Sequence, residues 1–181
     1  MQIAQYPNKS LLTQTSPISE NEFGMPELKQ LVTEMFELMQ KAQGVGLAGN
    51  QVVGCNKRLF VMDAGNIKEA FINPVIVENS EEMVENSEGC LSVLGVQVLK
   101  KRHKCVTLKW KTVEGKEKIN KFEGLPAICI GHEISHLEGK TIICDLSKLK
   151  RDILLKKSSK FVKEQEKLYA LREILKKRRN K

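Results

Sequence analysis

The chain has 181 residues, 41% of them hydrophobic and 29% charged, which is ordinary for a globular domain able to bury a core. No apolar run approaches the ~20 residues of a membrane helix, and the N-terminus "MQIAQYPNKSLL" lacks the regions of a secretory signal, so no membrane partner and a cytoplasmic location are expected. The five cysteines are widely spaced with no CxxC pair, which argues against a disulfide framework or a zinc ribbon. The net charge of +8 lies wholly in the tail: residues 148–181 carry +10, whereas the rest sums to −2.

After an extended N-terminal segment, "MPELKQLVTEMFELMQKAQG" carries Leu28, Leu31, Val32, Met35, Leu38 and Met39 at helical spacing. Pro26 suits the first turn and Gly44 the stop. "GVGLAGNQ" is a glycine-rich loop. Strands are predicted over 57–63 and 69–82, with Pro74 at an edge or bulge. From "GVQVLKK" to "INKFEG" the pattern predicts antiparallel strands that turn at Glu114-Gly115. "LPAICIGHEISHLEG" predicts a second, deeply buried helix that starts near Pro126 and ends at Gly139.

A third helix is predicted over much of 148–178, where Leu154, Phe161, Leu168 and Leu175 recur every seven residues, with Leu171 between. That stripe is expected to pack into the core rather than to form a partner groove. Strands with helices around them give an α+β fold: antiparallel sheets around a central buried helix, flanked by N- and C-terminal amphipathic helices. Residues 1–147 form the expected functional domain, and 148–181 a basic helix continuous with it.

In "GHEISHLEG", His132 and His136 stand one helical turn apart and would share a face, able to clamp one ion. Glu133 is close enough to reach a water there. The alternative is two histidines at this spacing by accident. A catalytic ion needs a third protein ligand. The remaining histidine, His103, lies on a lysine-rich strand and reads as surface. A third histidine six residues after His136 fails, since that residue is Ile142. Glu164 and Glu166 are downstream candidates, but they read as solvated partners of Lys160 and Lys163. Cys90 in "SEGCLSV" is the upstream option, with Gly89 beside it to allow close backbone approach. Leu125, Ile128, Cys129 and His132 fall on one helical face and could line an apolar pocket, although core packing suits Ile128 equally.

Three segments, "GVGLAGNQ", "EGCLS" and "HEISH", resemble in order and spacing the signature motifs of the peptide deformylase family, GxGLAAxQ, EGCLS and QHExDH. The similarity runs across nearly the whole chain. It implies a metal-dependent hydrolase that removes the formyl group from the N-formylmethionyl end of a nascent polypeptide. It implies that Cys90, His132 and His136 bind the metal and that Glu133 is general base and acid. Gln51 and the backbone N–H of Leu91 would hydrogen-bond the reacting oxygen. Backbone at Val45, Gly46 and Gly89 would hold the peptide extended, with Leu125 and Cys129 beside its methionine. The family works best with Fe2+, and Zn2+, Ni2+ or Co2+ can occupy the site. The basic tail would then suit ribosomal RNA, a salt-dependent contact.

The chain departs from the family pattern at Gly49-Asn50, expected to loosen the loop that aims Gln51, and at Leu94, where proline is common. Gly131 and Ser135 replace a glutamine and an aspartate, and Asn86 stands where an apolar residue is frequent. Three other readings stay open: a metallopeptidase sharing only the helix motif, a deformylase-like protein with weak activity or another formyl substrate, and a non-catalytic ribosome-binding protein.

Overall fold

The computed structural model describes residues 1–179, and among these it has seven strands and three α-helices. In chain order they are α1 (Pro26–Lys41), β1 (Gly46–Ala48), β2 (Leu59–Ala64), β3 (Ile67–Asn79), β4 (Met83–Cys90), β5 (Val93–His103), β6 (Cys105–Lys111), β7 (Glu117–Glu123), α2 (Leu125–Leu137) and α3 (Lys148–Arg179). Five strands form one antiparallel sheet in the order β1-β2-β3-β6-β7, and β4 and β5 form a separate hairpin. No helix among the described residues is long and apolar enough to cross a membrane.

The run "LFVM" in β2 is apolar at every position because both of its faces are covered. Leu59 and Val61 turn toward α1, packing with Leu28, Val32, Met35 and Met39. Phe60 and Met62 turn the other way, onto Ala127, Cys129 and Ile130 of α2. Strand alternation thus assigns one face to each helix. On the α2 side, Phe60 stacks on its cross-strand partner Phe71 at 4.6 Å between ring centroids, and Phe71 touches Trp110 at 5.0 Å. Pro74 lies in a break of register between Ile72 and Val75, as its missing N–H requires. Asn73 beside it, at φ 50, uses its carboxamide to bond both the N–H and the carbonyl of Ile18.

Four expectations need correction. Helix α1 stops at Lys41, and Gln43 at φ 56 makes the left-handed turn. Gly44 is needed for another reason: a Cβ there would drive into the Leu91 side chain. Part of the glycine-rich loop, Gly46–Ala48, is a strand paired with β2. The predicted strand over 69–82 ends at Asn79, and the acidic run after it forms β4, whose central residues Glu85, Asn86, Ser87 and Glu88 are polar on both faces and so hide the strand period.

The stripe on α3 is core only in its first half. Leu154 and Leu155 pack beside Val93, Val96 and Val98, and Ser158 is buried. Beyond Val162, every side chain described is exposed, including Leu168 and Leu171. The side chain of Leu175 lies outside the described residues.

The aromatic cluster predicts a stability effect. Phe71 is fully buried among three aromatic rings. Phe71→Ala should cost about 3–5 kcal/mol in urea unfolding. A loss under ~1 kcal/mol would show that the sheet does not depend on this packing.

Candidate metal centre

Two elements aim the donors. Helix α2 places His132 and His136 one turn apart, with ring centroids 5.0 Å from one another. Strand β4 ends at Cys90, where a register shift against β5 brings the thiol inward. The Cys90 sulfur stands 3.2 Å from His136 Nε2, and one ligand atom from each of Cys90, His132 and His136 lies within 4.8 Å of the others. His103 is elsewhere, half-buried with Nδ1 2.7 Å from the carbonyl of Ser80. Glu164 and Glu166 are exposed on α3.

The surroundings fix these rings. His132 Nδ1 lies 2.8 Å from Glu88 Oε2, which leaves Nε2 for the site. Arg102 clamps Glu88 through Nε and Nη2 at 2.7 and 2.8 Å, and its Nη1 donates to Gly131 O and Ser135 Oγ. Burial alone would push the Glu88 carboxyl up. Hydrogen bonds from Arg102 and His132 outweigh it and hold the pKa at about 2. Burial would likewise strip His132 of charge, but its contacts with Cys90 and Glu88 push its pKa up to about 10. An anionic pocket that holds a proton this firmly also suits a cation.

His136 differs. It is buried, its pKa is driven well below the usual range by that burial and then by the His132 charge, and Nδ1 has no partner. A neutral imidazole is the form a metal requires. Glu133 is buried with Oε2 unpartnered, and burial lifts its carboxyl to about 7. Gly46 makes room for it, since a Cβ at that position would collide with Glu133 Oε1. Gln51 accepts from Ala48 N at 2.9 Å, so its amide nitrogen turns to Ser92 Oγ at 3.1 Å and the Cys90 sulfur at 3.7 Å. A thiol and two imidazoles beside an orphaned carboxylate oxygen make a coherent donor set for one divalent ion.

The site opens into a cavity of about 740 Å³. Val45, Gly46, Gln51, Gly89, Leu91, Leu125, Ile128, Cys129 and Glu133 all line it, so the structure brings every one of these residues together. Ile128 therefore serves the cavity wall. Leu125 is half exposed at its mouth rather than deeply buried. The sequence reading missed Glu88 and Arg102, whose partnership joins segments 14 residues apart. It also missed the N-terminal segment. Ala4 N donates to Gln51 O, Gln5 Nε2 to Leu91 O, and Tyr6 N to Ser92 O.

Known proteins are similar to this chain in sequence and fold. The polypeptide deformylase family model matches residues 1–152. "Peptide deformylase 1" of Pseudomonas syringae pv. tomato is 41% identical over 163 residues, 88% of this chain and 95% of that protein. A peptide deformylase from Legionella pneumophila superposes with a TM-score of 0.83 at 35% identity, covering 91% of this chain and 96% of that one. The Met-Ala-Ser-bound class I type b peptide deformylase of Acinetobacter baumannii gives 0.76 at 31% identity, covering 79% and 96%.

If Glu88 orients His132, Glu88→Ala should weaken Co2+ retention about 10–100-fold, the usual cost of losing such a partner. Competition against a chelator measures it. Unchanged retention would mean that the ring is aimed by other contacts.

Proposed function

We infer the reaction from the family: the chain belongs to the polypeptide deformylases, hydrolases that release formate from the N-terminal formylmethionine of nascent polypeptides. The observation that supports this most directly is the convergence of Cys90, His132 and His136 within 4.8 Å, with Cys90 and His132 lining the cavity. Cys90, His132 and His136 would hold one divalent cation, which when bound supplies polarisation of the formamide and a lowered pKa for water. Fe2+ is the ion we assign, with Zn2+, Ni2+ or Co2+ able to replace it because iron lies low in the affinity order.

The chain's own groups do the rest. Water adds to the formyl carbon, and Glu133 takes its proton at the carboxylate oxygen that no protein group engages. The C–N bond then breaks as Glu133 returns that proton to the departing amine, work typically worth ~10²–10⁴-fold. Gln51 Nε2 and the Leu91 N–H would donate to the former carbonyl oxygen as charge develops on it, a reading supported by the presence of both residues in the cavity lining. Backbone at Val45, Gly46 and Gly89 receives the peptide as an added strand. Leu125, Ile128 and Cys129 take the methionine side chain, and the bound Met-Ala-Ser of the Acinetobacter relative supports that peptide class.

Asn86 favours a second reading. Its carboxamide lines the same cavity, so the side-chain pocket accepts a more polar formyl substrate than an apolar residue would allow. A metallopeptidase is less well supported, since among the described residues only Cys90 joins the two histidines. The family match over residues 1–152 supports residues 1–147 as the catalytic part and the cytoplasm as its place of action. The exposed, basic second half of α3 supports a contact with ribosomal RNA.

Formate release from formyl-Met-Ala-Ser, with protein kept from oxygen and loaded with Fe2+, tests the reaction. Glu133→Ala should lose ~10²–10⁴-fold of the rate. Formate from neither protein would overturn the reading, and Cys90→Ala with full metal retention would favour the peptidase. For the tail, ribosome affinity should fall steeply as salt rises, whereas a chain ending at 162 with unaltered affinity would remove the RNA contact.

A further inference from the structure

The wall of the cavity opposite in chemistry to Leu125, Ile128 and Cys129 is polar. Asn86 and Ser87 come from β4 and Gln97 from β5, and Ser87 Oγ donates to Gln97 Oε1 at 2.8 Å. To these α3 adds Lys157. It is the one lysine or arginine among the residues lining the cavity. Arg102 is committed to Glu88, Gly131 and Ser135, and Lys100, the cross-strand partner of Asn86, to Asp145. Lys157 has no carboxylate within salt-bridge distance and no hydrogen-bond partner among the described residues.

The position of Lys157 is set by packing. Leu154 lies one turn before it and Phe161 one turn after, on the same side of α3. Leu154 packs beside Val93 and Val96, and the Phe161 ring lies so close to Gly95 that any Cβ there would strike it. Ser158, next in sequence, is buried. The basic helix is thus fastened to the rim of the active-site cavity at the residues flanking Lys157, while beyond Val162 every side chain described is exposed.

We propose that Lys157 is a specificity residue that favours formylated peptides carrying an acidic side chain shortly after the methionine. The proposal rests on the deformylase reading. An unpaired ammonium at a peptide-binding rim attracts a carboxylate, and no lining carboxylate competes for it at that wall, because Glu88 is held by Arg102 and Glu133 is buried. A carboxylate can come from an Asp or Glu side chain or from a free peptide C-terminus. A nascent chain has no free C-terminus, which selects the side chain.

The test compares formyl-Met-Ala-Asp-amide with formyl-Met-Ala-Asn-amide, which differ by one charge, on Fe2+-loaded full-length protein. Wild type should favour the acidic peptide about 2–5-fold in kcat/KM at low salt, mainly through KM, and lose the preference near 1 M salt. Lys157→Gln should bring the ratio to one, and Lys157→Glu should invert it. Lys156→Gln, one residue away but outside the cavity lining, should keep the preference, which separates a local contact from the general field of the tail. A formyl-Met-Ala-Asn peptide with a free C-terminus that gains as much as the acidic amide would assign the site to the terminus instead. Equal rates for the two amides in wild type, or a ratio untouched by Lys157→Gln, would overturn the proposal. Formate from neither amide would overturn the deformylase reading instead.

Discussion

Glu88 and Arg102 face one another with side chains only 4% and 14% exposed, and the rest of the site depends on that pair. A buried ion pair is a poor source of stability unless every donor and acceptor is used, because removing two charges from water costs several kcal/mol per ion. Here the requirement is met. Arg102 uses two nitrogens on the carboxylate and the third on α2, and Glu88 has its remaining capacity filled by His132. The pair therefore joins three elements at once. A two-stranded sheet such as β4-β5 has little stability alone. Docked on α2 through Arg102 it becomes a rigid wall, and Cys90, two residues after Glu88, is held against the histidines.

The same contact gives a physical reason for two departures from the family pattern. Gly131 and Ser135 lie one turn apart on α2, under the guanidinium of Arg102. A Cβ on Gly131 would come to 3.2 Å from Arg102 Cδ, so a long side chain there would lift the arginine from the helix. Ser135 is small enough to sit beneath it, accepting from Arg102 while donating back to Gly131 O. The loop before Gln51 is likewise tighter than its sequence suggests. Asn50 is fully buried and donates to the carbonyl of His136, and the backbone of Lys57 approaches Gly49 so closely that no Cβ fits. These residues fasten the loop to α2; they do not loosen it.

What was legible in the sequence follows from which signals are apolar and local. Helices α1 and α2 declared themselves by periodicity and by Pro26 and Pro126, and β2 by its continuous hydrophobic run. The candidate metal group was legible in part because two of its members, His132 and His136, share a helix face. Strand β4 was not, since its inward residues, Asn86 and Glu88, are polar and break the expected alternation. Arg102 looked like one more cation in "LKKRHK", because nothing local distinguishes a side chain that folds inward onto α2 from its solvated neighbours. The heptad on α3 misled for the opposite reason: an apolar stripe states what a helix can bury, and whether anything lies against it is decided by the length of the body beside it.

The N-terminal segment shows a constraint that no side-chain pattern carries. Within residues 4–15 the backbone bonds to Gln51 O, Ser92 O and Leu137 O, and Gln5 adds Leu91 O. Those acceptors belong to the segment of Gln51, the segment of Cys90 and the end of α2. The three parts of the site, distant in sequence, are tied from outside by one strap. Loops that carry chemistry are ordinarily the most mobile part of a fold, and a site on such loops needs support from beyond its own residues. Here strap and ion pair immobilise the floor of the cavity and the wall nearest the histidines. Asn86 and Gln97 lie on the same hairpin, and Lys157 of α3 joins them at the rim. Under the role proposed for Lys157, variation there would alter which peptide is preferred without disturbing Cys90, His132 and His136, so the polar side of the cavity is the place where this chain's selectivity would be written.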